Sequence, residues 1–134
     1  MTDEASNTPP TVVLVVEDEP LLRELVVETI EDAGFVALGA GDAEEAIVLL
    51  QARPDIAVMF TDINMPGSMD GLELAQTVRD RWPPIKILVA SGQIRLQQSD
   101  LPFLEKPYRG ETMIARLRSL VELPRILVGS DLQS

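Results

Sequence analysis

The chain has 134 residues, 46% of them apolar, and it carries a formal net charge of −11. This length suits one compact domain with a continuous core, and no apolar run approaches the roughly eighteen residues of a membrane span. Cysteine and histidine are absent, which excludes disulfides, thiolate catalysis, phosphohistidine and the usual zinc sites. Nucleic acid and anionic membranes both need a patch of Lys and Arg. The net charge of −11 argues against such a patch, and the absence of cysteine fits a reducing cytoplasm. We therefore expect a cytoplasmic protein that binds neither nucleic acid nor a membrane.

Three segments are predicted along the chain. Residues 1–10 are expected to form a disordered lead-in, because they are polar and end in two prolines. Residues 11–122 carry the regular pattern of one domain, and residues 123–134 form a C-terminal tail. The sequence provides no second domain beside the one at 11–122, so we expect it to act alone.

Short apolar runs alternate with longer amphipathic segments. Residues 12–16, 56–60 and 85–90 are apolar and rich in β-branched side chains, as is typical of parallel strands that are buried on both faces. Residues 35–38 and 101–104 are weaker strand candidates. Strands that alternate with helices predict an α/β fold, in which helices cover both faces of a parallel sheet.

The first helix has readable signals at both ends. Pro20 suits its first turn, and Gly34 suits the position just after its last turn. Apolar residues recur between them at helical spacing, which predicts the face that packs on the sheet: Leu22, Leu25, Val26 and Ile30.

The later helices are predicted from their caps. Asp42 with Glu45, and Asp70 with Glu73, have the spacing of capping boxes that begin the second and third helices. The last helix is predicted over residues 110–122. Only about ten residues separate the fourth and fifth strands, which is close to the minimum for a crossover that contains a helix. The helix expected there is therefore shortened or missing.

Polar and ionisable side chains follow four of the five predicted strands. Glu17 and Asp18 follow the first strand, and Asp62 follows the third. Ser91 follows the fourth strand and Lys106 the fifth. Because ligands of open α/β sheets bind outside the carboxyl ends of the strands, we expect these groups to share one crevice.

Three carboxylates in one crevice repel each other and raise a pKa unless a cation lies among them. Mg²⁺ suits such oxygen ligands, and Lys106 would supply a second positive charge. Metal and ammonium together could stabilise a phosphoryl group during its transfer. A carboxylate could then be the nucleophile and form an aspartyl phosphate.

Four strings resemble the receiver domains of response regulators: VVEDEP (15–20), FTDINMPGSMDGLEL (60–74), VASG (89–92) and FLEKP (103–107). They occur in the family's order, and the resemblance covers residues 11–122. It implies a flavodoxin-like, doubly wound sheet of five parallel strands in the order 2-1-3-4-5. It also implies phosphorylation by a histidine kinase or phosphotransfer protein. Output would be binding to a downstream protein, a phosphate sink or a relay step.

The resemblance further implies roles for individual residues. Asp62 would be the phosphoacceptor, and Lys106 would pair first with its carboxylate and then with a phosphoryl oxygen. Asp18 would bind Mg²⁺ beside Asp62. Glu17, directly or through water, and the backbone carbonyl of Asn64 would complete the metal site.

A second group of residues would act in switching. Ser91 would be the hydroxyl drawn toward the phosphoryl group, and Phe103 would be the switch aromatic. The Lys106–Pro107 peptide bond would be cis, which costs little before proline. Asn64 and Gln93 flank the site, and we expect them to tune the lifetime of the phosphorylated form.

Three positions depart from the family pattern. Glu17 stands where many members have Asp, Ser68 is an extra loop residue, and the segment 92–100 is short. The family often signals through a face built from the fourth helix, the fifth strand and the fifth helix. The short segment leaves open whether that face, with Phe103, is the output surface.

Two other functions stay open. One is an interaction domain of receiver fold that is never phosphorylated. The other is an aspartate-nucleophile phosphohydrolase, although such enzymes place the nucleophile after the first strand and a second Asp two residues on. Here the residue two positions after Asp62 is Asn64. If the protein is instead the phosphoacceptor that the resemblance implies, we expect no enzymatic activity beyond its own phosphorylation and dephosphorylation. The sequence predicts neither the oligomeric state nor the identity of the partners.

Overall fold

A computed structural model describes residues 9–64, 69–92 and 101–122. The strands are β1 (Val12–Val16), β2 (Val36–Ala40), β3 (Ile56–Asp62), β4 (Lys86–Ser91) and β5 (Phe103–Glu105). The helices are α1 (Pro20–Asp32), α2 (Ala43–Ala52), α3 (Gly71–Arg81) and α4 (Gly110–Glu122). All strand pairs are parallel, in the order β2-β1-β3-β4-β5. The predicted flavodoxin-like, doubly wound sheet is confirmed.

Helices cover both faces of the sheet. In β1 every residue is buried, and successive side chains point to opposite faces. Leu14 packs in the cluster shared with α2 and α3, while Val13 packs in the cluster shared with α1 and α4. The central strands are thus held from two sides, and their carboxyl ends form a fixed base for the side chains that follow.

The strands that carry Asp62 and Ser91 extend further than predicted. β3 continues to Asp62 and β4 to Ser91, because the ladder between them runs to the Asp62–Ala90 pair. The backbone N–H of Ile63 also donates to the carbonyl of Ala90 at 3.0 Å. Both side chains therefore belong to the sheet itself and not to the loops beyond it.

The packing face predicted for α1 is half wrong. Val26 and Ile30 are buried, but Leu22 is 36% and Leu25 is 58% exposed. These two leucines point away from the sheet and line a groove of about 600 Å³ between α1 and α4. A helix that covers a sheet at its edge buries a narrower stripe than its apolar spacing indicates.

One of the two predicted capping boxes is complete. Asp70 accepts from the N–H of Glu73, and Glu73 returns the bond to the N–H of Asp70. At α2, Asp42 accepts from the N–H of Glu45, but the Glu45 carboxylate accepts from the N–H of Gly41 at 2.5 Å instead. The second hydrogen bond of the predicted capping box is therefore wrong, because the Glu45 side chain contacts Gly41, one residue before the Asp42 cap.

Several predictions lie outside the described residues. They are the short helix between β4 and β5, which falls on 93–100 together with Gln93, the extra loop residue Ser68, and most of the lead-in and tail. Within the described ranges, no helix has both the length and the apolar character that a membrane span requires.

Candidate functional site

Three carboxylates meet at the carboxyl edge of the sheet. Glu17 and Asp18 come directly after β1, and Asp62 ends β3, the neighbouring strand. One carboxylate oxygen from each lies within 4.8 Å of the others. Glu17 and Asp62 are buried, and Asp18 is more exposed. Hard oxygen donors at this spacing suit a divalent cation such as Mg²⁺.

The negative charge of Glu17 is destabilised by its surroundings, which raise the pKa of its carboxyl group. Its burial raises its pKa above the ordinary carboxyl value of 4.5, and the negative charges of Asp62 and Asp18 raise the pKa further. A hydrogen bond from the N–H of Glu19, at 3.1 Å, and the charge of Lys106 oppose the rise only in part. The cluster is therefore stabilised by any added positive charge, whether a proton or a metal ion.

Lys106 supplies positive charge beside Asp62. Its Nζ lies 3.0 Å from Oδ2 of Asp62, and its side chain is 33% exposed. It follows β5, and its backbone N–H donates to the carbonyl of Ser91 at 2.8 Å. The Lys106–Pro107 peptide bond is cis, the form that the resemblance implied.

The other predicted site residues come from three different segments of the chain. The N–H of Asn64 donates to Oδ1 of Asp62 at 3.3 Å. Ser91 is buried at the end of β4. Phe103 begins β5 opposite Val89, and it packs partly buried against the apolar cluster on the α2 and α3 side. Phe103 thus belongs to the core layer behind the site.

Two residues that matter for the site had no role in the sequence analysis. Gly71 begins α3, and a Cβ atom there would overlap the carbonyl oxygen of Asp62 and lie 2.6 Å from Cα of Ile63. Arg23 is the fourth residue of α1, and its Nη1 donates to the backbone carbonyl of Glu17 at 2.8 Å. The only sequence signal for Gly71 is a glycine directly after the Asp70 cap.

Tyr108 was also missed. Its ring packs edge-on against Phe60, with 5.9 Å between centroids. Burial and, to a lesser degree, the charges of Glu17 and Asp62 raise the pKa of Tyr108 to about 12. The phenol therefore stays protonated at neutral pH and adds no charge beside the carboxylates.

Glu17→Gln is expected to increase the free energy of unfolding at neutral pH in EDTA. The glutamine keeps an oxygen acceptor for the N–H of Glu19 but removes a buried charge. Because the folded-state pKa of Glu17 is raised, wild-type stability falls as pH rises through that pKa. The advantage of the variant should therefore vanish below the ordinary pKa of 4.5. Urea unfolding across this pH range measures it.

Glu28→Gln, on the exposed side of α1, is the control for the loss of one acidic charge. Its stability should track that of the wild type at every pH. If the curves of Glu17→Gln and wild type were parallel, burial of Glu17 would carry no electrostatic cost.

The sheet order and this edge define a class: flavodoxin-like domains with an acidic crevice and a lysine at the carboxyl ends of their strands. A family model described as the response regulator receiver domain matches residues 13–118. The chain belongs to this family, and it is a receiver domain of a response regulator in two-component signalling.

Individual relatives agree with this assignment. The nitrogen assimilation regulatory protein NtrX of Azorhizobium caulinodans is 30% identical over 123 residues, which cover 85% of this chain and 27% of that protein. The chain thus spans about a quarter of the length of the first curated relatives that it matches.

Solved structures agree as well. The chemotaxis protein CheY4 of Vibrio cholerae is 28% identical with a TM-score of 0.75, over 83% of this chain and 98% of that one. The response regulator TrrA of Thermotoga maritima, solved in complex with Mg²⁺ and BeF, is 26% identical with a TM-score of 0.74. That match covers 82% of this chain and 98% of the TrrA chain.

Proposed function

We propose that this receiver domain accepts a phosphoryl group on Asp62 in a Mg²⁺-dependent reaction, and that the donor is the phosphohistidine of a histidine kinase or phosphotransfer protein. One observation carries the proposal. The buried Asp62 carboxylate lies 3.0 Å from the Lys106 ammonium and within 4.8 Å of the carboxylates of Glu17 and Asp18. This is a nucleophile with a cation beside it and ligands for a second cation close by.

The chemistry follows from these charges. An oxygen of Asp62 attacks the phosphorus, the phosphorus–nitrogen bond of the donor breaks, and an aspartyl phosphate forms. Lys106 exchanges its contact with the carboxylate for one with a phosphoryl oxygen. Glu17 and Asp18, with Asp62 and the backbone carbonyl of Asn64, would hold Mg²⁺. The ion, when bound, neutralises the charge that the carboxylates and the phosphoryl oxygens bring together.

The surface beside the site supports a protein as the donor. Leu22, Leu25 and Tyr108 line the groove of about 600 Å³ between α1 and α4, and the groove reaches Lys106. Exposed apolar side chains next to a reactive group are typical of protein interaction sites. A phosphohydrolase for small substrates would instead need a concave pocket around its nucleophile that buries most of the substrate.

Switching would begin at Ser91. Phosphorylation adds nearly two negative charges and new acceptor oxygens beside it. The Ser91 hydroxyl and the loop that follows would reorganise around the phosphoryl group, and the new surface would bind a downstream protein. Phe103 would be the switch aromatic, while Asn64 and Gln93 would set how long the modification lasts. The domain would catalyse only its own phosphorylation and dephosphorylation.

The extent of the domain at residues 11–122, its action without an attached output domain and its cytoplasmic location stay predictions. The same is true of the expected absence of nucleic-acid and membrane partners.

Intact-mass measurement after incubation with acetyl phosphate tests the proposal. We expect one phosphoryl adduct in the presence of Mg²⁺ and none in EDTA, and peptide mapping should place it on Asp62. Beryllofluoride, which related TrrA holds with Mg²⁺, is a second probe and should bind only with Mg²⁺. If neither the adduct nor beryllofluoride binding occurred, the chain would be a receiver-fold interaction domain that is not phosphorylated.

A further inference from the structure

We infer that Arg23 is a positioning residue that holds the Glu17–Asp18 loop in the arrangement that binds the metal ion. The inference rests on the proposed function, since it concerns the affinity of that acidic site. Arg23 would touch neither the metal nor the phosphoryl group. It would act through the backbone that carries two of the three carboxylates.

The first contact is with the loop itself. Nη1 of Arg23 donates to the backbone carbonyl of Glu17 at 2.8 Å. This carbonyl belongs to the peptide unit that joins Glu17 to Asp18, so the guanidinium holds the segment between the two carboxylates. A hydrogen bond from a charged donor is shorter and stronger than one between neutral groups.

The second contact is with the end of β2 and the loop that follows it. A Cβ atom on Gly39 would lie 3.3 Å from Cδ of Arg23, and one on Gly41 would lie 3.0 Å from Nη1. The arginine therefore runs across two glycines that leave room for it. The N–H of Glu17 donates to the carbonyl of Ala40 at 3.0 Å. Arg23 thus ties α1, the Glu17–Asp18 loop and the loop after β2 into one unit.

These contacts of Arg23 matter because the carboxylates repel each other in the absence of a cation. A loop free to relax would move the charges apart, and metal binding would have to bring them together again. A loop held in place leaves the ligands assembled before the ion arrives. Loss of the tie should therefore weaken Mg²⁺ binding even though every ligand is still present.

Calorimetric titration of Mg²⁺ into wild type and Arg23→Met is the central test. Methionine keeps most of the stem that packs on Gly39 but loses the guanidinium. We expect the dissociation constant to rise about tenfold, at the lower end for partners that orient metal ligands. Arg23→Lys, which can still donate one hydrogen bond, should recover part of this loss.

Arg118→Met is the matched control. Arg118 also donates to a backbone carbonyl, that of Ala33 at 3.0 Å, but Ala33 caps the far end of α1. Each variant loses one positive charge and one hydrogen bond to a backbone carbonyl, and Arg118→Met also loses the guanidinium that lies 5.7 Å from the centroid of the Phe35 ring. Arg118→Met should bind Mg²⁺ as wild type does.

Gly41→Ala gives an independent test that leaves Arg23 in the chain. The added methyl group would crowd Nη1 and should weaken Mg²⁺ binding in the wild-type background. In the Arg23→Met background it should have no further effect, because the group that it displaces is gone. Hydrogen exchange in EDTA should also be faster for residues 17–19 in Arg23→Met than in Arg118→Met.

The outcomes separate this inference from the proposed function. A wild-type chain that neither binds Mg²⁺ nor forms the adduct would overturn both. A wild-type chain that binds Mg²⁺, with Arg23→Met equal to Arg118→Met in affinity and in exchange, would overturn the positioning role alone.

Discussion

Asp62→Asn should give no phosphoryl adduct with acetyl phosphate and Mg²⁺, at any incubation time that saturates the wild type. Asparagine has nearly the shape of aspartate, and its oxygen can still accept from the N–H of Asn64, as Oδ1 does at 3.3 Å. It lacks the carboxylate that attacks phosphorus and pairs with Lys106 at 3.0 Å. The expected effect is complete loss, because no partial nucleophile remains. Intact mass measures it directly.

Asp55→Asn is the control for this experiment. Asp55 also pairs with a cation, Arg53 at 2.9 Å, but it lies on the surface at the start of β3. That variant should form the adduct at the wild-type rate. An adduct on Asp62→Asn would place the acceptor at another residue and remove the basis of the proposed chemistry.

Gly71→Ala should lower the free energy of unfolding by about 3 kcal/mol, the upper end for overpacking a rigid site. Alanine elsewhere in a helix would instead stabilise by roughly 0.5–1 kcal/mol. The cost arises because the new Cβ would meet backbone, the carbonyl of Asp62 and Cα of Ile63, and neither can rotate away. The N–H of Gly71 also donates to the carbonyl of Ile63 at 2.9 Å. Urea unfolding in EDTA gives the value.

Gly110→Ala is the matched control, since Gly110 begins α4 as Gly71 begins α3. A Cβ atom there meets only a methyl group, Cγ2 of Thr29 at 3.3 Å, so its stability should change by less than about 1 kcal/mol. Equal effects of the two substitutions would mean that α3 does not depend on its close approach to Asp62. Weaker Mg²⁺ binding should accompany the loss at Gly71, because the acceptor must move.

The order of elements and the site edge followed from local patterns. An apolar, β-branched run such as residues 12–16 predicts a strand that is buried on both faces. The strand β1 has those bounds. Side chains directly after such strands must emerge at one edge of a parallel sheet. For this reason the sequence alone groups Glu17, Asp18 and Asp62, and the resemblance implies the strand order.

Features that depend on the meeting of two distant segments could not be predicted. Helical spacing places Leu22 and Leu25 on the apolar face of α1. It does not indicate that this part of the face lines a groove between α1 and α4. The local sequence around Arg23 does not indicate which backbone carbonyl its guanidinium will contact. The spacing of Asp42 and Glu45 does not indicate that the Glu45 carboxylate accepts from the N–H of Gly41.

The backbone bond between Lys106 and Ser91 has a consequence for the size of the crevice. Lys106 directly follows β5, and this bond continues the pairing of β4 with β5, whose backbones lie at the usual spacing of about 4.8 Å. The spacing of the two backbone positions that carry the hydroxyl and the ammonium is therefore set by the sheet. Redesign of the domain for a bulkier group than phosphoryl would have to change strand pairing at β5, because substitutions at Ser91 or Lys106 change the side chains but leave the backbone spacing as it is.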